Sequence, residues 1–134
     1  MNINPKLLKN VNEQLTLINN KLDTKIEEGI LLWTNSNPGN EFNPQTLNFN
    51  GTYKYYDIII IQDQTVLKPQ RVYVDSSGIY SILENIFNGY LRTRSVLART
   101  SSLVFGEGTF FSTYANSSSN NYQCIPYKII GYKN

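Results

Sequence analysis

Near the start of the chain Leu8, Val11, Leu15, Ile18 and Leu22 recur at spacings of 3, 4, 3 and 4. Only an α-helix brings residues at that interval back to one face. The positions between them are mostly Asn, Glu, Gln, Thr and Lys. The stripe is therefore a heptad seam, with Leu8, Leu15 and Leu22 at a and Val11 and Ile18 at d. A helix that packs on its own domain carries a wider stripe, about three apolar positions in seven. The narrow seam predicts self-association. Leu at a with β-branched residues at d disfavours a parallel dimer and leans toward three or four strands.

Asn4-Pro5 supplies a start, with Asn as N-cap and Pro at the first helical position. Lys25 takes the next d position and weakens the seam, with Ile26 beside it, and Gly29 supplies a stop. The predicted helix runs from Pro5 to Glu28, about 36 Å at 1.5 Å per residue. Three heptads are marginal alone, so the rest of the chain must add contacts. The expected division is residues 1–28, a helix in a short trimeric coiled coil, and residues 29–134, a β domain.

After Gly29 the chain reads as all-β. Ile30–Thr34 is a short apolar strand, followed by the turn-rich loop NSNPGNEFNPQ. Thr46–Phe49 alternates and precedes the turn signal Asn50-Gly51. Tyr53–Gln62 holds four consecutive Ile, which predicts a central strand covered on both faces. Arg71–Asp75, Tyr90–Thr100 and Ser102–Phe105 follow as strands, and Gly106-Glu107-Gly108 is expected to break the ladder. Residues 79–88, IYSILENIFN, have helical spacing and are expected to form a short helix or turn. Thr109–Tyr114 and Tyr122–Tyr132 flank ANSSSNN as an expected terminal hairpin. Pro126 cannot donate to a ladder, so its strand should be an edge or bulged there. Short strands with frequent turn signals predict a mainly β fold, an antiparallel, jelly-roll-like β-sandwich behind the N-terminal α-helix.

Chemistry is limited by what is missing. The chain has no His, which removes Ser-His-Asp, Cys-His and histidine metal arrangements. Cys124, the single cysteine, lies in an apolar strand, where burial quiets a thiol. Asp57 and Glu107 are the acids best placed by sequence for carboxylate-pair glycosidase chemistry, but nothing pairs them. No loop shows calcium spacing, and no Gly-rich phosphate loop follows a strand. We expect no catalytic residues, no cofactor and no metal.

Net charge is +2, too small to argue for a nucleic-acid partner. Arg71, Arg92, Arg94 and Arg99 sit close in sequence and read as a solvated strand face, with a basic patch for anionic glycans or phosphate as the alternative. The first ten residues have no apolar core region of a secretory signal, and the apolar run Ile58–Ile61 is too short to span a bilayer. Charge is scarce, at 16%, and Asn, Ser, Thr and Tyr replace it. Such residues at loop tips suit a carbohydrate- or protein-binding surface, with rings for stacking and amides for paired hydrogen bonds. The loops 35–43 and 115–121 are the first places to look. The candidate binding residues are Asn35, Asn37, Asn40, Phe42, Asn116, Asn120 and Tyr122.

Several motifs resemble a known family. Leu32-Trp33-Thr34-Asn35, Asn37-Pro38, Phe42, Gln45-Thr46 and Tyr56-Asp57 before Ile58–Ile61 occur in order. Phe105-Gly106 and the closing Asn121-Tyr122, Ile125-Pro126, Lys128-Ile129 and Gly131-Tyr132 continue the pattern. Together they resemble the C-terminal β-sandwich of minor structural proteins, of tail-fibre, baseplate or head-fibre type, of phages infecting Gram-positive bacteria. The resemblance covers residues 29–134. It implies a virion protein made in the host cytoplasm, a trimeric stalk, contacts with other virion proteins and attachment to host cell-wall glycan. It supplies no catalytic residues. Residues 79–88 depart from it. The alternatives are a purely architectural protein whose helix docks on another virion protein, and a glycan depolymerase.

Overall fold

The structure is a computed structural model that describes residues 4–25 and 28–134, with helix side chains described for residues 4–19. Leu22 therefore lies outside the described side chains, and Ile26 outside the described residues. Helix α1 spans Pro5–Lys25. Asn4 caps it as the sequence predicts. Lys6 N donates to Asn4 Oδ1 at 3.0 Å, which satisfies one of the orphan amides of the first turn. No helix among the described residues is long and apolar enough to cross a membrane.

Ten strands follow: β1 (Ile30–Thr34), β2 (Gln45–Asn48), β3 (Tyr55–Gln62), β4 (Thr65–Val66), β5 (Gln70–Tyr73), β6 (Ser81–Phe87), β7 (Tyr90–Arg99), β8 (Ser102–Thr113), β9 (Asn116–Ser119) and β10 (Ile125–Tyr132). They form two antiparallel sheets. One has the order β1-β10-β3, with β4 and β5 sharing the far side of β3. The other has the order β2-β8-β7-β6, with β9 beside β2 along β8. Side chains from both sheets meet in one core. Tyr56, Ile58, Ile60 and Ile129 come from the first sheet, and Leu83, Val96, Leu103 and Phe105 from the second. The arrangement is β-sandwich-like.

Four expectations change. The Ile run of β3 is not covered on both faces. Tyr56, Ile58, Ile60 and Gln62 are buried, whereas Tyr55, Asp57, Ile59 and Ile61 are half-buried on the outer side of the sheet. There Tyr55 stacks on Tyr132 at 4.7 Å, and Arg71 lies 4.5 Å above Tyr55 while both its Nε and Nη2 donate to the Asp57 carboxylate. Those contacts shelter the outer face without burying it.

Residues 79–88 hold no helix. Ser81–Phe87 is strand β6, joined to β7 by Asn88-Gly89, both with positive φ (52° and 80°). That pair is the favoured two-residue hairpin link. The apolar spacing imitated a helix because both faces of β6 carry apolar residues. Leu83 points to the core, while Ile82 and Ile86 are exposed.

β8 runs through Gly106 and Gly108 without ending, and the break expected there is a bulge in its pairing with β7, where Gly106-Glu107 face Ser95. Residues 109–114 and 122–132 do not form a hairpin. β8 turns back as β9, and β10 crosses to the other sheet.

In β10 the proline expectation resolves as a bulge. The strand is internal, between β1 and β3, and its register shifts between Pro126 and Lys128. Cys124, Pro126 and Ile129 are fully buried. Ile129→Asp would place a carboxylate in the core with no partner, a cost of several kcal/mol. We expect this variant to be insoluble or to melt far below the parent in thermal denaturation.

Candidate functional site

The four arginines do not share a solvated face. Arg71 is exposed, but Arg92 is 7% and Arg94 0% exposed. Alternation along β7 places both on the inward side with Val96 and Ala98. Arg94 has no ion pair among the described residues. Its guanidinium donates instead to five backbone carbonyls. Nε reaches Gln123 O (3.2 Å) and Cys124 O (3.0 Å). Nη1 reaches Phe42 O (2.9 Å) and Gly106 O (2.8 Å). Nη2 reaches Asn121 O (3.0 Å) and Gln123 O (2.9 Å). A buried charge is costly unless its donors are met, and a planar fork of five N–H groups meets them here. Burial pulls Arg94 down to about 10, which still leaves it protonated at neutral pH.

The close packing around this side chain explains Gly108. A Cβ on Gly108 would collide with the Asn120 and Gln123 carbonyl oxygens and crowd Arg94. β8 itself bulges here, with Gly106-Glu107 opposite the single residue Ser95 of β7, and Ser95 sits against Gly106. Bulge and Gly108 together make room for the guanidinium.

Arg94 thus ties the loop after β1 to the segment before β10. Two further bonds join the same pieces. Phe42 N donates to Asn121 O at 3.0 Å, and Asn121 Nδ2 donates to Asn43 Oδ1 at 3.2 Å. Beside them lies a cleft of about 260 Å³. Pro38 and Gly39 form one wall, the β3–β4 turn residues Asp63 and Gln64 another, and Tyr122 with Ile61 and Ile125 the remainder.

The predicted binding residues divide into groups. Asn37 and Asn40 are exposed on either side of Pro38-Gly39, and Tyr122, 50% exposed, enters the cleft itself. Asn35 serves the fold, donating from Nδ2 to Pro126 O and accepting from Asn37 N. Asn120 accepts from Tyr122 N and is half-buried. Asn116 belongs to β9 and does not line the cleft. Phe42 is a correction. It is 5% exposed, edge-on to Trp33 and Phe105, with Arg94 over its ring at 5.3 Å. An aromatic ring in an Asn-rich loop looks like a contact residue until its core partners are known.

Asp63 and Gln64 were missed from sequence. The signal was weak, because Asp-Gln is a poor hairpin dipeptide. Arg92 and Arg94 were misread although the signal was present, in their alternation with Leu91, Thr93 and Ser95.

The remaining chemistry is quiet. Burial pushes the Cys124 thiol up to about 11, so no thiolate forms near neutrality. Asp57 is held below the usual carboxylate range, first by the Arg71 hydrogen bond. Glu107 accepts from Ser119 Oγ at 2.9 Å. Asp57 and Glu107 lie on different sheets. Among the described residues no three His, Cys, Asp or Glu side chains group as metal ligands. Comparison of the chain with protein-family models, with curated proteins and with solved structures found no match in any of the three.

Proposed function

We propose that this chain is a non-enzymatic structural protein of a phage virion. It is a homotrimeric fibre, spike or capsid-decoration subunit, and its β domain offers a loop-end surface to host-cell glycan. One observation carries the reading. On α1, Leu8, Val11, Leu15 and Ile18 are each about half exposed (48, 47, 53 and 52%), so among the described residues no strand covers these seam positions. Completing the burial of each contributes about 1 kcal/mol. Four such positions in three chains give on the order of 10 kcal/mol, comparable with what association costs. The stalk is then marginal alone, and contacts between β domains must supplement it. Ile82 and Ile86 on the outer side of β6 are exposed apolar residues that suit such contacts, and Leu91 and Phe111 continue the row from Ile86.

The virion assignment is supported by the resemblance. Phe42, Gly106 and Asn121, three of its motif residues, are carbonyl partners of the buried Arg94. Those motifs thus coincide with the framework of the loop end. Held three at a time, weak surface contacts gain avidity.

Deleting residues 1–28 tests the assignment by sedimentation velocity. The trimer should become a monomer with an unchanged far-ultraviolet strand signal. A truncated chain that stays trimeric would contradict the stalk. A full-length chain that is already monomeric would instead favour docking of the helix on another virion protein.

A further inference from the structure

The loop-end cleft is built with strained backbone. Among the described non-glycine residues, four have left-handed φ; two of them, Asp63 (47°) and Gln64 (68°), line the cleft, and a third, Cys124 (47°), directly precedes the lining residue Ile125. The fourth is Asn88, in the ordinary Asn-Gly turn. Left-handed backbone costs on the order of 1 kcal/mol or more per non-glycine residue. The chain uses Asn-Gly for β6–β7 but Asp-Gln for β3–β4, so it keeps two polar side chains where glycine would be easier. Strain held in place by its surroundings gathers at ligand-contacting segments.

The surroundings are specified. Gln62 is fully buried, accepts from Cys124 N at 2.9 Å and donates to Gln123 Oε1 at 3.1 Å. Arg92 Nη1 donates to the same Gln123 oxygen at 2.8 Å and to Asp63 Oδ2 at 3.4 Å. Arg92 therefore orients Asp63 from beneath while 52% of the Asp63 side chain remains exposed. Preorganisation of this kind is what a binding constellation needs.

We propose that the cleft is a glycan subsite that takes one neutral pyranose ring. The ring stacks on Tyr122, and its hydroxyls donate to Asp63 and Gln64. This deepens the reading of the chain as a surface-binding virion subunit and rests on it. Size fits, since about 260 Å³ lies just below the range of drug-sized sites. Charge decides the class. Asp63 is the only formally charged residue lining the cleft, and no Lys or Arg joins it. A phosphate or uronate would face the Asp63 carboxylate with no cation in the lining, since Arg92 lies buried beneath Asp63 and is already paired with it. A Lys side chain is also disfavoured, because Arg92 already pairs with Asp63 and Pro38, Ile61 and Ile125 make the walls apolar. A sugar ring has both the apolar face and the hydroxyl donors that this lining matches.

The test is saturation-transfer NMR on the full-length protein. The probes are glucose, galactose, N-acetylglucosamine, N-acetylgalactosamine and rhamnose, with poly(glycerol phosphate) and an oligolysine peptide in parallel. At least one neutral sugar should bind. Its affinity should fall about tenfold in both Tyr122→Ala and Asp63→Asn, as expected for loss of one good contact. Tyr122 is exposed at the rim, so its variant should fold and melt like the parent. The subsite is overturned if none of the five sugars binds, if both variants bind as well as the parent, or if only the polyanion or the peptide binds. Light scattering on the same sample separates the two claims. A trimer without sugar binding sinks the subsite alone, and a sugar-binding monomer sinks the fibre assignment alone.

Discussion

Arg94→Met should destabilise the β domain by at least about 3 kcal/mol, because five backbone carbonyls lose a shared donor and each buried unsatisfied group costs about 1–3 kcal/mol. For a domain near 100 residues, 1 kcal/mol moves the melting temperature by about 4 °C or more. A fall of more than about 10 °C is therefore expected in thermal denaturation. Methionine fills much of the volume, so the loss reports the hydrogen bonds more than a cavity. Arg94→Lys should recover little. A single ammonium with three donors cannot serve carbonyls on both β8 and the segment before β10. A Met variant that melts within a few degrees of the parent would show that these carbonyls find other partners.

Leu15→Asp should have the second large effect, on assembly and not on folding. Leu15 sits at the middle a position and is 53% exposed. Burying three carboxylates at one level of a coiled coil costs several kcal/mol each. That exceeds the on-the-order-of-10 kcal/mol gain available to the described seam. The β domain should keep its melting profile, since Leu15 is exposed and does not belong to the core cluster. Loss of trimer with retained β structure is the expected outcome. Loss of both would mean that the domain depends on assembly.

Much of the fold was legible because local signals agreed. Asn4-Pro5 capped the helix, the 3-4 spacing defined its face, and β1, β2, β3 and β7 fell within one or two residues of their expected places. The errors came where partners lie far away in sequence. Gly106 and Gly108 read as breakers because what crowds them, Ser95 at Gly106 and the Asn120 and Gln123 carbonyls with Arg94 at Gly108, belongs to other segments. β6 read as helical because Ile82 and Ile86 are apolar yet exposed, which defeats a periodicity argument. Phe42 read as a contact residue because its core neighbours Trp33 and Phe105 lie in other segments. The cleft draws on the loop after β1, the β3–β4 turn and the segment before β10. Only its Tyr122 and the loop around Pro38 could be picked out in advance. Asp63 and Gln64 gain meaning from their backbone strain, which no sequence pattern displays.

The proposed trimer rests on the uncovered helical seam of α1. Gel filtration coupled to light scattering at micromolar concentration measures it directly. A single species at three times the 15.4 kDa chain mass is expected. A stable species at the mass of one chain would contradict it.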